Sequence, residues 1–304
     1  MPVKRHTSVS HAAIAAATTG FKATFQNAFD AIEPTWKKIA EEVTSTTSME
    51  TYEWLGAIPG MREWIGERFI HRLTENAYTI KNRKFEGTVA VDRDAIADGK
   101  LGTYKIAFKG LGKNAANHPD ELVFSALKKG FVARCFDGQN FFDTDHPVLV
   151  DGEEVSVSNF QDGAGPAWYL LCTSQAVLPI IYQNREDPEL VSHDDPSKSA
   201  HTFLNDEILF GAKSRGEAGY SFWQLAFASK APLTAENFKA ARAAMASLKD
   251  DTGRPLNIIP NLLVVPPELE DDADEIVKVK RLDNGKDNKN YGKAEVMMTP
   301  WLAA

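Results

Sequence analysis

The sequence predicts an α+β chain, and three observations carry that expectation. Apolar residues recur at helical spacing near the N-terminus and again over residues 101–129. The middle, residues 131–230, breaks into short β-type runs separated by turn-forming residues. Between the two lies a charged, ribbon-like stretch whose apolar positions are too scattered to form a core. With 304 residues, the chain can build one large or two modest domains.

The first 53 residues read as an arm. Residues 1–10 are polar and expected to be disordered. Phe21, Phe25, Phe29 and Ile32 are spaced by 4, 4 and 3, which predicts an amphipathic helix over 19–32. Glu33-Pro34 ends it, because a residue before proline avoids the helical region. Trp36, Ile39, Ala40 and Val43 suggest a second short helix, and TSTTSMET over 44–51 a flexible connector. The arm is expected to meet partners through its apolar stripe.

Residues 54–98 are the least self-sufficient part. Trp54, Leu55, Ile58, Met61, Trp64 and Ile65 open it as an apolar anchor around the Pro59-Gly60 turn. Two strand-like runs follow, 69–74 and 77–85, split by Thr74-Glu75-Asn76. From Arg62 to Asp94, 13 of 33 residues are charged. Such a two-stranded ribbon is marginal alone in water, so it is expected to protrude and lie across a neighbouring subunit.

From Leu101 the helical period returns through Tyr104, Phe108, Leu111 and Ala115. Leu122, Val123, Ala126 and Leu127 continue the apolar face to Lys128-Lys129-Gly130. Pro119 is expected either to kink this helix or to open a new one, and Gly102, Gly110 and Gly112 weaken it. About 28 residues would span roughly 40 Å, which suits a spine. Further strands are expected at 168–172, 178–183, 207–213 and 220–228, with a loop over 184–201. Thr234 reads as the N-cap of a helix to about 248. Residues 262–265 read as a strand buried on both faces. Pro266-Pro267 then precedes a helix over 268–277, with acids at its start and Lys278 and Lys280 after its end. A turn at 283–285 and a strand at 295–299 finish the chain.

Composition narrows the function. There are 42 acidic and 34 basic residues, a net charge of −8. That argues against a chain whose main task is neutralising nucleic-acid phosphates and suits a protein that must stay soluble at high concentration, or a container wall that should not stick to its contents. No apolar run approaches the roughly 20 residues of a membrane span, and the start lacks a signal-peptide core. Cys135 and Cys172 form no disulfide framework or metal spacing.

Chemistry-bearing clusters are few. Asp143-Thr144-Asp145-His146-Pro147 places two carboxylates and an imidazole within metal-ligand reach, but Asp and Pro also build turns, and the turn reading is preferred. His193-Asp194-Asp195 reads as a solvated tip. Gly110-Leu111-Gly112-Lys113 lacks the full phosphate-loop spacing. Neither cysteine has a local signature of a nucleophile. Lys278, Lys280 and Arg281 read as a helix end. Trp168, Tyr169, Tyr220, Phe222 and Trp223 read as core and interface.

Five blocks in order carry a resemblance: WLGAIPGMREWIGER, FFDTDHPV, WYLLCTSQAVLPIIYQNREDPE, FGAKSRGEAGYSFWQLAFASKAPL and NLLVVPPELE. Together they resemble the major head subunit of Mu-like phages and prophages, over residues 21–302. The resemblance implies a tailed-phage major capsid protein fold of the Hong Kong 97 type. It would comprise an N-terminal arm (1–53), an extended β-hairpin loop with its anchor (54–98), and a peripheral domain with a long spine helix (99–137). A mainly axial domain (138–251) and a closing segment (252–304) would complete it.

The resemblance implies a non-catalytic protein without cofactor or metal. It would assemble with itself into hexamers and pentamers of an icosahedral phage head, in the host bacterial cytoplasm, and reside in the virion. Expected inter-subunit contacts are Phe21, Phe25, Phe29, Trp54, Ile58, Arg62, Trp64, Glu67, Arg68, Phe69, Arg72, Tyr78 and Arg83. Other partners would be a portal and head-completion or decoration proteins. Some relatives of the fold carry a scaffolding domain before the arm; the 20 residues before Phe21 are too few for one, so scaffolding is expected from a separate protein. One branch of the fold uses Lys–Asn crosslinking; here Lys81, Asn82 and Lys84 lie in the ribbon, and its lysines read more simply as a solvated or partner-facing edge. Double-stranded DNA would be enclosed with weak, sequence-independent contact, because basic residues are interleaved with acids; Lys4, Arg5 and Lys22 are the local exceptions. Two alternatives stay open: an encapsulin-like compartment shell, and a metal-dependent hydrolase using Asp143, Asp145 and His146.

Overall fold

A computed structural model of the chain describes residues 11–52, 78–150, 153–193, 200–250, 253–282 and 284–303. The chain divides into two compact units. The first holds the described residues of Met1–Thr35, Asn82–Asp120 and Asn184–Gly216; the second holds those of Trp36–Lys81, Glu121–Gln183 and Glu217–Ala304.

The first unit is built on α1 (His11–Asp30) and the first two-thirds of α3 (Leu101–Lys129). Phe21 is fully buried and stacks on Phe108 with ring centroids 4.4 Å apart; both meet Phe210 edge-on. The two helices approach closely at Gly112, where any Cβ would collide with the Phe25 carbonyl oxygen. Two strands lie in the same unit, β4 (Arg83–Asp92) and the first part of β10 (Glu207–Tyr220). They pair antiparallel from Glu207↔Asp92 to Gly216↔Arg83. The short helix α2 (Arg93–Ala97) follows β4 directly, with the Asp92 side chain accepting from the Asp94 backbone N–H. Val91, Ile96, Leu190 and Ile208 complete the core with Ile14 and Phe25.

The second unit is organised by a five-stranded sheet, in the order β13 (Glu295–Met298), β12 (Leu262–Val265), β8 (Trp168–Leu171), β11 (Ala226–Ser229) and β7 (Phe160–Gln161). β12 pairs antiparallel with β8 and parallel with β13. All four of its side chains are buried, as the uninterrupted apolar run Leu-Leu-Val-Val requires. The sheet packs with α5 (Ala235–Ala246) and α6 (Glu270–Val277) through Phe238, Met245, Ala273 and Ile276. α5 begins where Thr234 accepts from the Asn237 backbone N–H, the expected N-cap. Two hairpins stand apart from this sheet: β2 (Met49–Tyr52) with β3 (Tyr78–Lys81), and β5 (His146–Val150) with β6 (Glu153–Val157).

The long helix has the expected bounds, Leu101–Lys129, and is continuous through Pro119. Three expectations are corrected. Residues 36–43 are not a helix: a single 3-10 turn, Trp36–Lys38, leads into strand β1 (Ala40–Thr44). The Ile39 carbonyl accepts from Ile180 N, at the start of β9 (Ile180–His193), so sheet pairing overrides the local helical period. Residues 44–51 are not a loose connector either. One oxygen of Glu50 accepts from the Ser45 hydroxyl, Thr46 N and Thr47 N at 2.8, 2.9 and 3.0 Å, closing a turn before β2. Finally, the first part of the expected loop 184–201 continues β9 to His193, and α4 (Ala200–Asn205) follows. One of the charges on β9 is neutralised across the sheet, where Glu186 pairs with Lys213 at 2.7 Å and Arg215 at 3.4 Å.

The Ser45 hydroxyl, with the two backbone N–H groups, pulls Glu50 down from 4.5 to about 2. A lowered carboxylate contributes stability above its unfolded value and loses it as pH falls through the folded one. We therefore expect the turn's contribution to vanish between about pH 4.5 and 2, and Glu50→Gln to flatten urea-unfolding stability over that window. Gly112→Ala should destabilise the first unit by about 1–3 kcal/mol despite alanine's better helix propensity, because the helices must separate. A lower urea midpoint read by near-UV circular dichroism checks this.

Candidate functional site

Sequence reasoning nominated two kinds of site: contact residues for assembly, and the acidic cluster around His146. Of the contact residues, Trp54, Ile58, Arg62, Trp64, Glu67, Arg68, Phe69 and Arg72 lie outside the described residues. Phe21 and Phe25 are 0% and 2% exposed, inside the core of their own chain rather than held out for a neighbour. The stripe that looked unpartnered is matched by Phe108 and Phe210, which are distant in sequence. Removing the arm would therefore open the first unit's core, not leave a folded remainder. Phe29 is half-buried and stacks on Phe25.

Where the ribbon is described, its strands find partners in the same chain. Within residues 78–92, β3 pairs with β2, and β4 pairs with β10. Tyr78 packs on the second unit's core, and its hydroxyl oxygen accepts from Tyr220 N at 3.2 Å. Burial pushes the Tyr78 phenol up to about 12. Close packing continues at Gly219, where a Cβ would strike the Ile80 side chain. Arg83 remains exposed, its guanidinium 5.2 Å from the centroid of Phe85.

At the second site, the turn reading of residues 143–147 is the one the structure displays. Asp143 accepts from the Thr144 and Asn140 backbone N–H groups and from the Asn140 amide. His146 pairs with Asp137 rather than with Asp143 or Asp145. Its ring is fully buried, stacked on Trp223 with centroids 4.0 Å apart, and its Nδ1 lies 2.7 Å from Asp137. The Cys135 thiol donates to the other Asp137 oxygen at 3.0 Å. His146 Nε2 faces the Asn159 side-chain oxygen Oδ1 at 3.2 Å, and that oxygen also accepts from Asp143 N. The Asn159 amide nitrogen donates to the backbone carbonyls of Phe141, Trp223 and Ala226.

This network ties the turn after α3, the start of β5 and the approach to β11 into one piece. Burial raises Asp137, but the hydrogen bonds from His146 and Cys135 outweigh it and hold the carboxyl below its ordinary value. Burial, with the Asp137 charge, pushes the Cys135 thiol far up, so it stays protonated. Cys135, Asp137 and His146 have ligating atoms within 4.8 Å of one another and could hold a divalent ion. In this geometry they satisfy one another instead. Both cysteines are free and buried. A shallow cavity of about 230 Å³, lined by Val148, Val157, Trp223, Gln224 and Leu248, brings no acid–base pair together. The partnership of Asp137 with His146 was hidden in the sequence because Asp143 and Asp145 stand closer along the chain.

Comparison with known proteins supplies what this geometry leaves open. In the procapsid of bacteriophage JBD30, the matched chain superposes with a TM-score of 0.84 at 44% identity, over 96% of this chain and all of that one. In the JBD30 capsid the TM-score is 0.78 at 37% identity, covering 97% and 99%. This mixed α/β fold is thus that of phage capsid proteins. The major capsid protein of Escherichia phage Mu is 40% identical over 97% of this chain and 99% of its own length. The FluMu prophage major head subunit of Haemophilus influenzae is 40% identical over 85% and 86%. A profile of the family described as Mu-like prophage major head subunit gpT matches residues 14–302. The chain belongs to that family: it is a structural, non-catalytic component of the virion capsid, a major capsid protein of Mu-like phage heads.

A capsid wall needs no reactive site, so the buried network should matter for stability alone. His146→Ala would leave the Asp137 carboxylate buried without its main partner. We expect a loss of about 3–5 kcal/mol, the usual cost of orphaning a buried charge. Urea unfolding followed by tryptophan fluorescence would check this, with Trp223 reporting locally.

Proposed function

We propose that the chain assembles with itself into the hexamers and pentamers of a closed icosahedral head enclosing double-stranded DNA, by a Hong Kong 97-type subunit plan. The observation that carries this reading is the near full-length likeness to the JBD30 procapsid and capsid chains. In this plan residues 1–53 act as the N-terminal arm, 54–98 as the extended loop with its anchor, and 99–137 as the spine. Residues 138–251 form the mainly axial part, and 252–304 close the fold. Support for the spine comes from the length of α3, 29 residues or about 44 Å at 1.5 Å per residue.

Contacts between copies are assigned to Trp54, Ile58, Arg62, Trp64, Glu67, Arg68, Phe69 and Arg72, with half-buried Phe29 and exposed Arg83 beside them. A charge pair at a solvent-exposed surface is worth only about 0–1 kcal/mol, but a closed shell repeats its contacts in every subunit. The JBD30 capsid is also known decorated with minor capsid protein trimers; a comparable decoration protein is proposed here, beside a separate scaffolding protein and a portal.

Expression of the full chain alone or with its scaffold should yield closed, uniform shells by negative-stain electron microscopy. Trp64→Ala with Phe69→Ala should leave a soluble folded subunit that assembles at least tenfold less efficiently. Monomers or open sheets from the wild-type chain under both conditions would overturn the shell reading; normal shells from the double variant would overturn the assignment of those anchors.

A further inference from the structure

From Leu101 to His118, α3 holds Lys105, Lys109 and Lys113 and no acidic residue. The three recur every four residues, so they share one face at intervals of about 6 Å. All three are exposed, and among the described residues none forms an ion pair. The opposite face is committed to the core through Tyr104, Phe108, Leu111 and Ala115. α1, which meets α3 at Gly112, adds exposed Lys22 and a single exposed carboxylate, Asp30. Asp120, further along α3, is buried and accepts from Thr35. Across α1 and residues 101–118 of α3 the exposed surface therefore sets four lysines against one carboxylate, in a chain of net charge −8, while beyond them α3 exposes Glu121, Lys128 and Lys129. Along the sequence the lysines stand apart; only the helical period gathers them.

We infer that this lysine face of α3, with Lys22 on the paired helix, contacts the phosphodiester backbone of nucleic acid without reading its sequence. The inference rests on the shell reading, which supplies the enclosed polyanion. A duplex presents one charge per roughly 1.7 Å of axis, so the ~12 Å from Lys105 to Lys113 meets several phosphates. A protein partner fits less well. The exposed neighbours of these lysines are Gly102, Thr103, Ala107, Gly110 and Asn114, with Ile106 the one large apolar side chain. Protein interfaces deplete lysine and centre on aromatic anchors. Added Cβ atoms at Gly102 and Gly110 would meet nothing within 4 Å, so the backbone on this side is open to close approach.

The test titrates full-length soluble subunits with random-sequence duplex DNA between about 50 and 200 mM salt. It compares the wild type with the triple variant K105Q/K109Q/K113Q and a control, K278Q/K280Q. Wild-type binding should be weak and fall with salt. The triple variant should bind at least tenfold less tightly at the lowest salt, with a salt slope shallower by about 0.9 per lysine, and the control should match the wild type. Equal binding by the triple variant, or no wild-type binding at low salt, would overturn the inference. Equally effective competition by polyglutamate would reassign the face to an acidic protein. All three chains are also imaged for shells: a triple variant that no longer assembles would make this face a subunit contact and likewise overturn it. Because binding is read on soluble subunits, failure of this inference and failure of the shell reading are separable.

Discussion

The rest of the structure depends on covering one helix. α3 is too long for a single small core, and its side chains are shared between two. Phe108 is fully buried in the first unit, while Val123, Phe124 and Leu127 are fully buried in the second. The helix survives Pro119 and several glycines because packing, not propensity, holds it. Gly112 is the clearest case. A residue that weakens an isolated helix here lets α1 come close enough to lay Phe21 on Phe108.

The two units solve burial differently. In the first, aromatic rings from two helices and a strand interlock, so the arm helix, whose stripe was expected to meet partners, is part of its own chain's core. In the second, β8 lies between β12 and β11 with all four of its side chains buried, and helices pack with the sheet. The polar network of Cys135, Asp137, His146 and Asn159 is the exception inside this apolar setting. It is tolerated because its donors and acceptors meet one another, which also removes them from chemistry. A shell protein can invest a buried histidine in rigidity where an enzyme would leave it open to substrate.

Several features were legible in the residues alone. The bounds of α3 followed from a sustained 3-4 spacing and the Lys128-Lys129-Gly130 end. The cap at Thr234 and the strand Leu262–Val265 followed from local chemistry, a side-chain oxygen before a helix and an apolar run before two prolines. Family membership was legible as well, because five blocks in order are a property of sequence.

What the tertiary structure decided were matters of partnership. Trp36 to Val43 carries a helical period, yet half of it is strand, because Ile39 pairs with Ile180 some 140 residues away. Residues 184–193 look like a loop by composition, yet Glu186 finds Lys213 and Arg215 across a sheet. Asp137, not the nearer Asp143 or Asp145, binds His146. The physical reason is common to all three. Periodicity, capping and turn chemistry act within a few residues and are written in order along the chain, whereas burial and charge pairing join residues that only the folded chain brings within reach.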